Sequence, residues 1–302
     1  MHTARTETGQ VQRVFTEVRQ TFERTYKPIW RRWVITRGTD VTSEHARRSG
    51  LVCAPHPDDE TLGCGGLIAR KRDAGTAVRV LVASNGARSH VTSSGLDLVA
   101  IRAREVAEAC RVLGVDTADL VQLGLPDGEL ARFEDDLVDR IAEEIDELRP
   151  DDVFVTSTRD WHPDHQALGR AARRAVARTQ WTPRLLEYPI WWWVDGPWRR
   201  RDGEGRWSYG AGYASDTVKA VSVPTVELVA TPPYLETKRR AIAAHRSQLD
   251  ALELDTEWAV FDTAMRAALT GRFEVLLPVD VPQVQPTSAT EKSAAPRATT
   301  SV

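Results

Sequence analysis

From residue 50 onward the chain alternates short apolar runs with longer stretches in which apolar residues recur every three to four positions. The short runs, Leu51–Ala54, Val78–Ala83, Leu120–Leu123, Val153–Thr156 and Leu185–Tyr188, suit strands buried on both faces. Between them Leu62–Asp73, Leu96–Leu113, Phe133–Leu148 and Gln166–Arg178 carry helical spacing. This strand-then-helix rhythm predicts an α/β fold: a Rossmann-like, open, mostly parallel sheet with helices on both faces. Right-handed crossovers then gather the strand ends on one rim, where sheets of this kind bind ligands.

The rhythm is absent at both ends. Val11, Val14, Phe15, Val18 and Phe22 recur at helical spacing with polar residues opposite, and KPIWRRW (Lys27–Trp33) follows. Two readings stand for this segment: peripheral contact with an anionic membrane surface, or docking on the body of the protein or on a second copy in a homo-oligomer. After Tyr188 a C-terminal Trp-rich excursion, residues 189–213, holds five of the ten tryptophans among glycine, arginine and aspartate. Such a segment suits the apolar faces of sugars or a lipid tail, and equally Trp191–Trp193 suit a cover over the sheet edge or a subunit contact. Val218–Val223 and Val226–Val229 read as strands of an antiparallel excursion, and Lys238–Leu252 as a helix carrying His245. Past Pro278 large apolar residues almost vanish. The expected organisation is an extension over 1–48, a catalytic domain over 49–280 and a disordered tail over 281–302.

Composition narrows the class. A 302-residue chain with 41% hydrophobic residues can bury a full core, and a net charge of −3 argues against bulk nucleic-acid binding. Cys53, Cys64 and Cys110 are an odd set without zinc-finger spacing, read as reduced buried thiols. No run is long and apolar enough for a spanning helix and no apolar signal core opens the chain, so the expected location is cytoplasmic.

The chemistry concentrates where strands end. Leu51–Ala54 runs into PHPDDE, in which Pro55 and Pro57 stiffen the backbone around His56. His56 and Asp59, three apart, fall on one side of a turn and suit a metal. Asp58 points elsewhere, placed to serve as a base at the open metal position. A third ligand is needed, and DWHPDH (160–165), after the run Val153–Val155, supplies it from a matching turn. Two histidines and one carboxylate suit Zn2+, and Fe2+ accepts the same set. Arg102 and Glu105, three apart on a helix, read alone as an ion pair, and Asp127 in GLPDG reads alone as a turn residue. The glycines of GCGG (63–66) lack a phosphate-loop pattern and read as close strand-to-helix packing. His90 reads as a solvated loop histidine, and His245 as either a wall of the site or a core histidine.

APHPDDE, a later HPDH, the intervening Arg102–Glu105 pair and GLPDG, and finally KRRAIAAHRSQL (238–249) resemble, in this order, the PIG-L/LmbE-like zinc-dependent N-deacetylases over residues 50 to 250. The resemblance implies that His56, Asp59 and His165 hold Zn2+, one ion per chain, and that Asp58 is the general base. His162, protonated and oriented by Asp164, would face the developing oxyanion, while Arg102 and Asp127 would reach substrate hydroxyls. The implied reaction removes an acetyl group from an N-acetylglucosaminyl conjugate, a small-molecule partner. A zinc hydrolase of a carbamoyl amide or an ester, and a catalytically silent sugar-binding protein, are the rival readings.

Overall fold

The computed structural model describes residues 25–89, 97–197, 225–249 and 263–282, together with residues 222 and 261. Eight strands form one sheet: β1 (Thr39–Asp40), β2 (Gly50–Ala54), β3 (Val78–Ser84), β4 (Leu120–Leu125), β5 (Asp152–Thr156), β6 (Arg184–Tyr188), β7 (Glu227–Ala230) and β8 (Phe273–Val279). Their order is β1-β7-β8-β6-β5-β2-β3-β4. The run from β6 to β4 is parallel throughout. β8 enters antiparallel to both β6 and β7, and β1 pairs parallel with β7 at the far edge.

The helices are α1 (25–37), α2 (Thr42–His45), α3 (Asp59–Asp73), α4 (Leu98–Val112), α5 (Glu134–Leu148), α6 (Pro163–Arg178), α7 (Trp191–Asp195), α8 (Leu235–Ala244), α9 (Arg246–Leu249) and α10 (Thr263–Leu269). Strand side chains alternate between the two faces, and each face seals a core. Val52, Ala54, Val80, Val82, Phe154 and Tyr188 pack with α3, α4, α7 and α8. Leu51, Cys53, Leu81, Ala83, Val153 and Val155 pack with α5 and α6. Burial on both sides explains why these strands read as unbroken apolar runs.

The five strands and four helices expected between residues 50 and 190 are all present. The Val226–Val229 run becomes β7, antiparallel to β8; Val218–Val223 lies largely outside the described residues, as do Val11–Phe22, His90 and 283–302. The stretch expected as one helix from Lys238 divides at His245, whose φ of −80° and ψ of 61° end α8. β8 was not anticipated. KPIWRRW lies in α1, where Trp30 and Val34 are buried. Trp30 meets Trp192 at 4.7 Å and Trp193 at 5.9 Å between ring centroids, and Arg31 donates to the Val194 carbonyl, so this stretch docks on α7. Cys53, Cys64 and Cys110 are free, buried thiols. No helix among the described residues is long and apolar enough to cross a membrane.

The GCGG stretch of α3 is a close-packing device. A Cβ on Gly63 would fall 2.2 Å from the Tyr188 ring, and one on Gly66 3.2 Å from Glu274. Glu274 of β8 accepts the amides of Gly66 and Leu67 at 2.7 Å each, and pairs with Lys238 of α8, which also caps the Leu62 carbonyl. These contacts fix the helix that begins at Asp59, and with it the first turn of the site.

Candidate metal and catalytic site

Because β2 to β6 run parallel, the turns after their carboxyl ends share one rim. His56, Asp58 and Asp59 follow β2, Asp127 follows β4, Asp160, His162, Asp164 and His165 follow β5, and the Trp191–Trp193 stretch follows β6. Backbone hydrogen bonds tie the turns together: Ser84 donates to the Pro55 carbonyl and Asn85 to that of Leu125.

The imidazoles of His56 and His165 are each gripped at both nitrogens. Asp59 Oδ2 lies 3.0 Å from His56 Nδ1 and 3.3 Å from His165 Nε2. On their outer sides, His56 Nε2 meets Asp127 Oδ1 and Asp164 Oδ2 at 3.3 Å each, and His165 Nδ1 meets Asp160 Oδ2 at 2.8 Å. His162 completes the cluster, with its ring 4.7 Å from that of His56 and 5.1 Å from that of His165. Donor atoms of His56, His162 and His165 all lie within 4.8 Å of one another, as do those of His56, Asp127 and Asp164; either set could hold a metal ion.

Around Asp59, the two carboxylate-to-imidazole separations suit a tetrahedral ion. Ligand bonds of ~2.0–2.2 Å at tetrahedral angles separate neighbouring donors by about 3.3 Å. The separations of Asp59 from the two imidazoles match, and carboxylates on the outer nitrogens are the arrangement that orients metal-binding histidines. The charge balance favours a cation as well. Among the described residues, five buried aspartates, Asp58, Asp59, Asp127, Asp160 and Asp164, gather with Arg102 and three histidines.

Proton affinities report the same field. Burial works against a charge on His56, but hydrogen bonds to Asp127, Asp164 and Asp59 raise its pKa well above the ordinary value. Burial likewise opposes a charge on His165, yet Asp59 and Asp160 push its pKa up to about 9. Asp59 moves the opposite way: burial would raise it, and His165 and His56 hold it far below the carboxylate range. A divalent ion placed among these groups would displace protons that they hold firmly in its absence.

Asp58 is pushed up to about 7, chiefly by burial, with Arg102 opposing the rise. Its backbone has φ 155° and ψ −29°, a conformation side chains rarely adopt. The strain is held by its amide donating to Glu60 Oε2 at 3.0 Å and by Arg102 Nη2 donating to its carboxylate at 2.6 Å.

Several of the residues expected in the site have other contacts than expected. Arg102, expected at substrate hydroxyls, is 2% exposed, and it donates to Asp58, to the Pro57 carbonyl at 2.8 Å and to the Gly86 carbonyl at 3.0 Å; it serves Asp58. Glu105 does not pair with it; its carboxylate accepts the Ser247 amide and hydroxyl at 2.8 and 2.6 Å, anchoring α9. Asp164, expected to orient the His162 ring, spends its carboxylate on His56 and on the amides of Gly128 and Leu130, at 2.7 and 3.0 Å. Its backbone amide touches His162 instead, donating to Nδ1 at 3.2 Å in the N-cap of α6. With Nδ1 accepting, a neutral His162 ring carries its proton on Nε2. Burial and the neighbouring His56 and His165 push its pKa down to about 3. Asp127 lies in the site, but against His56 and the Arg88 amide.

Asp160 escaped the sequence reading. It is fully buried, and besides His165 it accepts the amides of Ile190 at 3.1 Å and Trp192 at 2.8 Å. Its only sequence signal is a carboxylate at the head of DWHPDH. His245 is a buried histidine, 3.5 Å from Glu60 and 3.4 Å from the Thr61 hydroxyl.

Residues 51–176 match the family PIG-L, described as GlcNAc-PI de-N-acetylase. A probable N-acetyl-alpha-D-glucosaminyl L-malate deacetylase 2 of Bacillus cereus is 37% identical over 139 residues, which are 43% of this chain and 62% of that protein. A 1D-myo-inositol 2-acetamido-2-deoxy-alpha-D-glucopyranoside deacetylase of Mycobacterium sp. (strain KMS) is 31% identical over 165 residues, 46% of this chain and 52% of that one. The chain thus spans less than two thirds of the length of these relatives. Among solved structures, the conserved protein TT1542 from Thermus thermophilus is similar over 80% of this chain and 100% of its own, with a TM-score of 0.52 and 28% identity. The A40926 pseudoaglycone deacetylase covers the same shares at a TM-score of 0.55 and 18% identity, a likeness of fold. The family match and the relatives support the PIG-L/LmbE-like resemblance drawn from the motifs.

Proposed function

We propose that this PIG-L-type domain is a metal-dependent amide hydrolase that removes the acetyl group from an N-acetyl amino sugar, an N-acetylglucosaminyl conjugate. One observation carries the reading: His56 and His165 converge on Asp59 while each keeps a carboxylate on its other nitrogen, beside a carboxylate, Asp58, with a pKa raised to about 7. The names of the relatives supply the sugar and the bond.

His56, Asp59 and His165 would hold the ion, and Zn2+ suits them best. When bound, it would supply a Lewis acid for the amide carbonyl and lower the pKa of a water to ~7. Asp58 takes the proton from the attacking water, its affinity matched to neutral pH by burial and Arg102. The His162 Nε2–H faces the carbonyl oxygen and donates to it as negative charge develops, a neutral donor set in place by the α6 cap. Asp127 and Asp164 fix the ring of His56, and Asp160 that of His165. Asp58 then hands its proton to the departing nitrogen, leaving acetate and a free amino sugar.

The test is acetate release from a panel of N-acetylglucosamine conjugates by zinc-loaded protein. Release with one free amine per acetate supports the reading. Hydrolysis of carbamoyl or ester analogues alone, or stoichiometric metal binding with no hydrolysis, overturns it in favour of another bond or of binding only.

A further inference from the structure

Among the described tryptophans of the Trp-rich excursion, two fates are visible. Trp192 and Trp193 are core residues at 4% and 5% exposure. Trp191 is half-buried, and its ring centroid lies 5.0 Å from that of Trp161, also half-buried, at an interplanar angle of 49°. The Trp161 ring lies 5.6 Å from that of His162, which in turn stands 4.7 Å from His56. An aromatic wall therefore continues outward from the proposed oxyanion donor.

The wall is tied to the metal-binding histidines. Asp160 binds the amides on both sides of Trp191, those of Ile190 and Trp192, and with the same carboxylate holds His165 Nδ1. Trp161 sits between Asp160 and His162 in the same turn. Both rings are thus registered to the reacting centre by one fully buried group.

The chemistry of the substrate says what such a wall meets. In an N-acetylglucosaminide the acetamide is on C2, and the aglycone hangs from the adjacent C1. A surface one ring away from the attacked carbonyl is where the first ring of an aglycone arrives. Indole faces offer apolar area with a polar edge, which suits the C–H face of a second sugar, a cyclitol or an aryl ring.

We propose that Trp161 and Trp191 form an aglycone subsite, selecting N-acetylglucosaminides whose C1 substituent begins with a ring over free N-acetylglucosamine. This rests on the deacetylase reading for its substrate, so the test has one arm that needs no turnover. Calorimetry on zinc-loaded protein compares glucosamine with its phenyl glycosides of both anomers. Wild type is expected to bind one phenyl glucosaminide about tenfold tighter than glucosamine. The preference should shrink below about twofold in Trp161→Ala and survive in Trp161→Phe. No preference in wild type, or a preference unchanged in Trp161→Ala, overturns the subsite. In the second arm, kcat/KM for acetate release is compared between phenyl N-acetylglucosaminides and N-acetylglucosamine. A binding preference that Trp161→Ala abolishes, with no acetate from any substrate, sinks the deacetylase reading and leaves a ring-selective site. Acetate release with no ring preference in either arm does the reverse.

Discussion

Arg102 Nη2 donates to Asp58 Oδ2 at 2.6 Å, with both residues buried beneath the rim of the sheet. The same guanidinium holds the Pro57 and Gly86 carbonyls, so one side chain fixes the strained turn that carries Asp58 and the loop after β3. Gly86, at φ 64°, makes room: a Cβ there would fall 2.4 Å from Arg102 Nη1. Asp58 is thereby kept ionisable at neutral pH although buried.

Removing one partner of a buried ion pair costs about 3–5 kcal/mol. Arg102→Met is expected to lose that much stability in urea unfolding. Asp58→Asn, which leaves the arginine three acceptors, should lose less. Equal losses in the two variants would show that the arginine acts as packing.

The pH dependence follows from Asp58. Its pKa is raised to about 7 by burial, and Arg102 limits the rise. The reactive form is the carboxylate, so kcat/KM should fall on an acid limb of about tenfold per pH unit, which the bound ion's charge places at or below that value. In Arg102→Lys a weaker counter-charge contact should move this limb to higher pH. A limb that stays in place would detach Arg102 from the base.

Asp160 gives a prediction on metal rather than on rate. Losing a carboxylate that orients a ligating histidine typically costs 10–100-fold in affinity. Asp160→Asn should weaken Zn2+ binding by about that factor in a chelator competition. Asp160→Glu should not restore it, because the longer chain cannot keep the 2.8 Å contact with His165 and those with the Ile190 and Trp192 amides together. Unchanged affinity in Asp160→Asn would reduce Asp160 to a loop anchor.

How far the sequence carried is visible in particular residues. The parallel strands were legible because burial on both faces makes Leu51–Ala54 and Val153–Val155 unbroken apolar runs, and the prolines beside His56 and after His162 marked the turns. β8 was not legible: FEVLLPV follows no helix-and-strand rhythm, and it joins the sheet between β6 and β7 through distant pairing. Arg102 and Glu105 are three apart on α4, yet the fold sends one to Asp58 and the other to Ser247. Asp160 was hidden for a related reason. Its three partners lie five, thirty and thirty-two residues away, and only the closure of β5 against β6 brings them together.

At the opposite end of the sheet His45 is buried between Asp152, 3.1 Å from Nδ1, and Glu227, 2.9 Å from Nε2. Burial disfavours its charge, but the two carboxylates raise its pKa above the ordinary value. A raised folded pKa means stability that is complete below the unfolded pKa of ~6.5 and lost as pH rises through the folded value. His45→Gln should therefore cost about 2–3 kcal/mol at pH 6, and the gap to wild type should narrow at pH 9. A gap of the same size at both pH values would mean that the imidazole is neutral in the fold.

Metal binding and proton removal meet at one turn, in the neighbours Asp59 and Asp58, and one measurement separates them. Asp58→Asn and wild type, loaded with Zn2+, would be assayed on one sample for bound metal per chain and for acetate released from an N-acetylglucosaminide. The expected result is equal metal content, with release reduced about 100- to 10,000-fold in the variant. Release that persists at the wild-type rate in metal-loaded Asp58→Asn would contradict the assignment of Asp58, and with it the proposed mechanism.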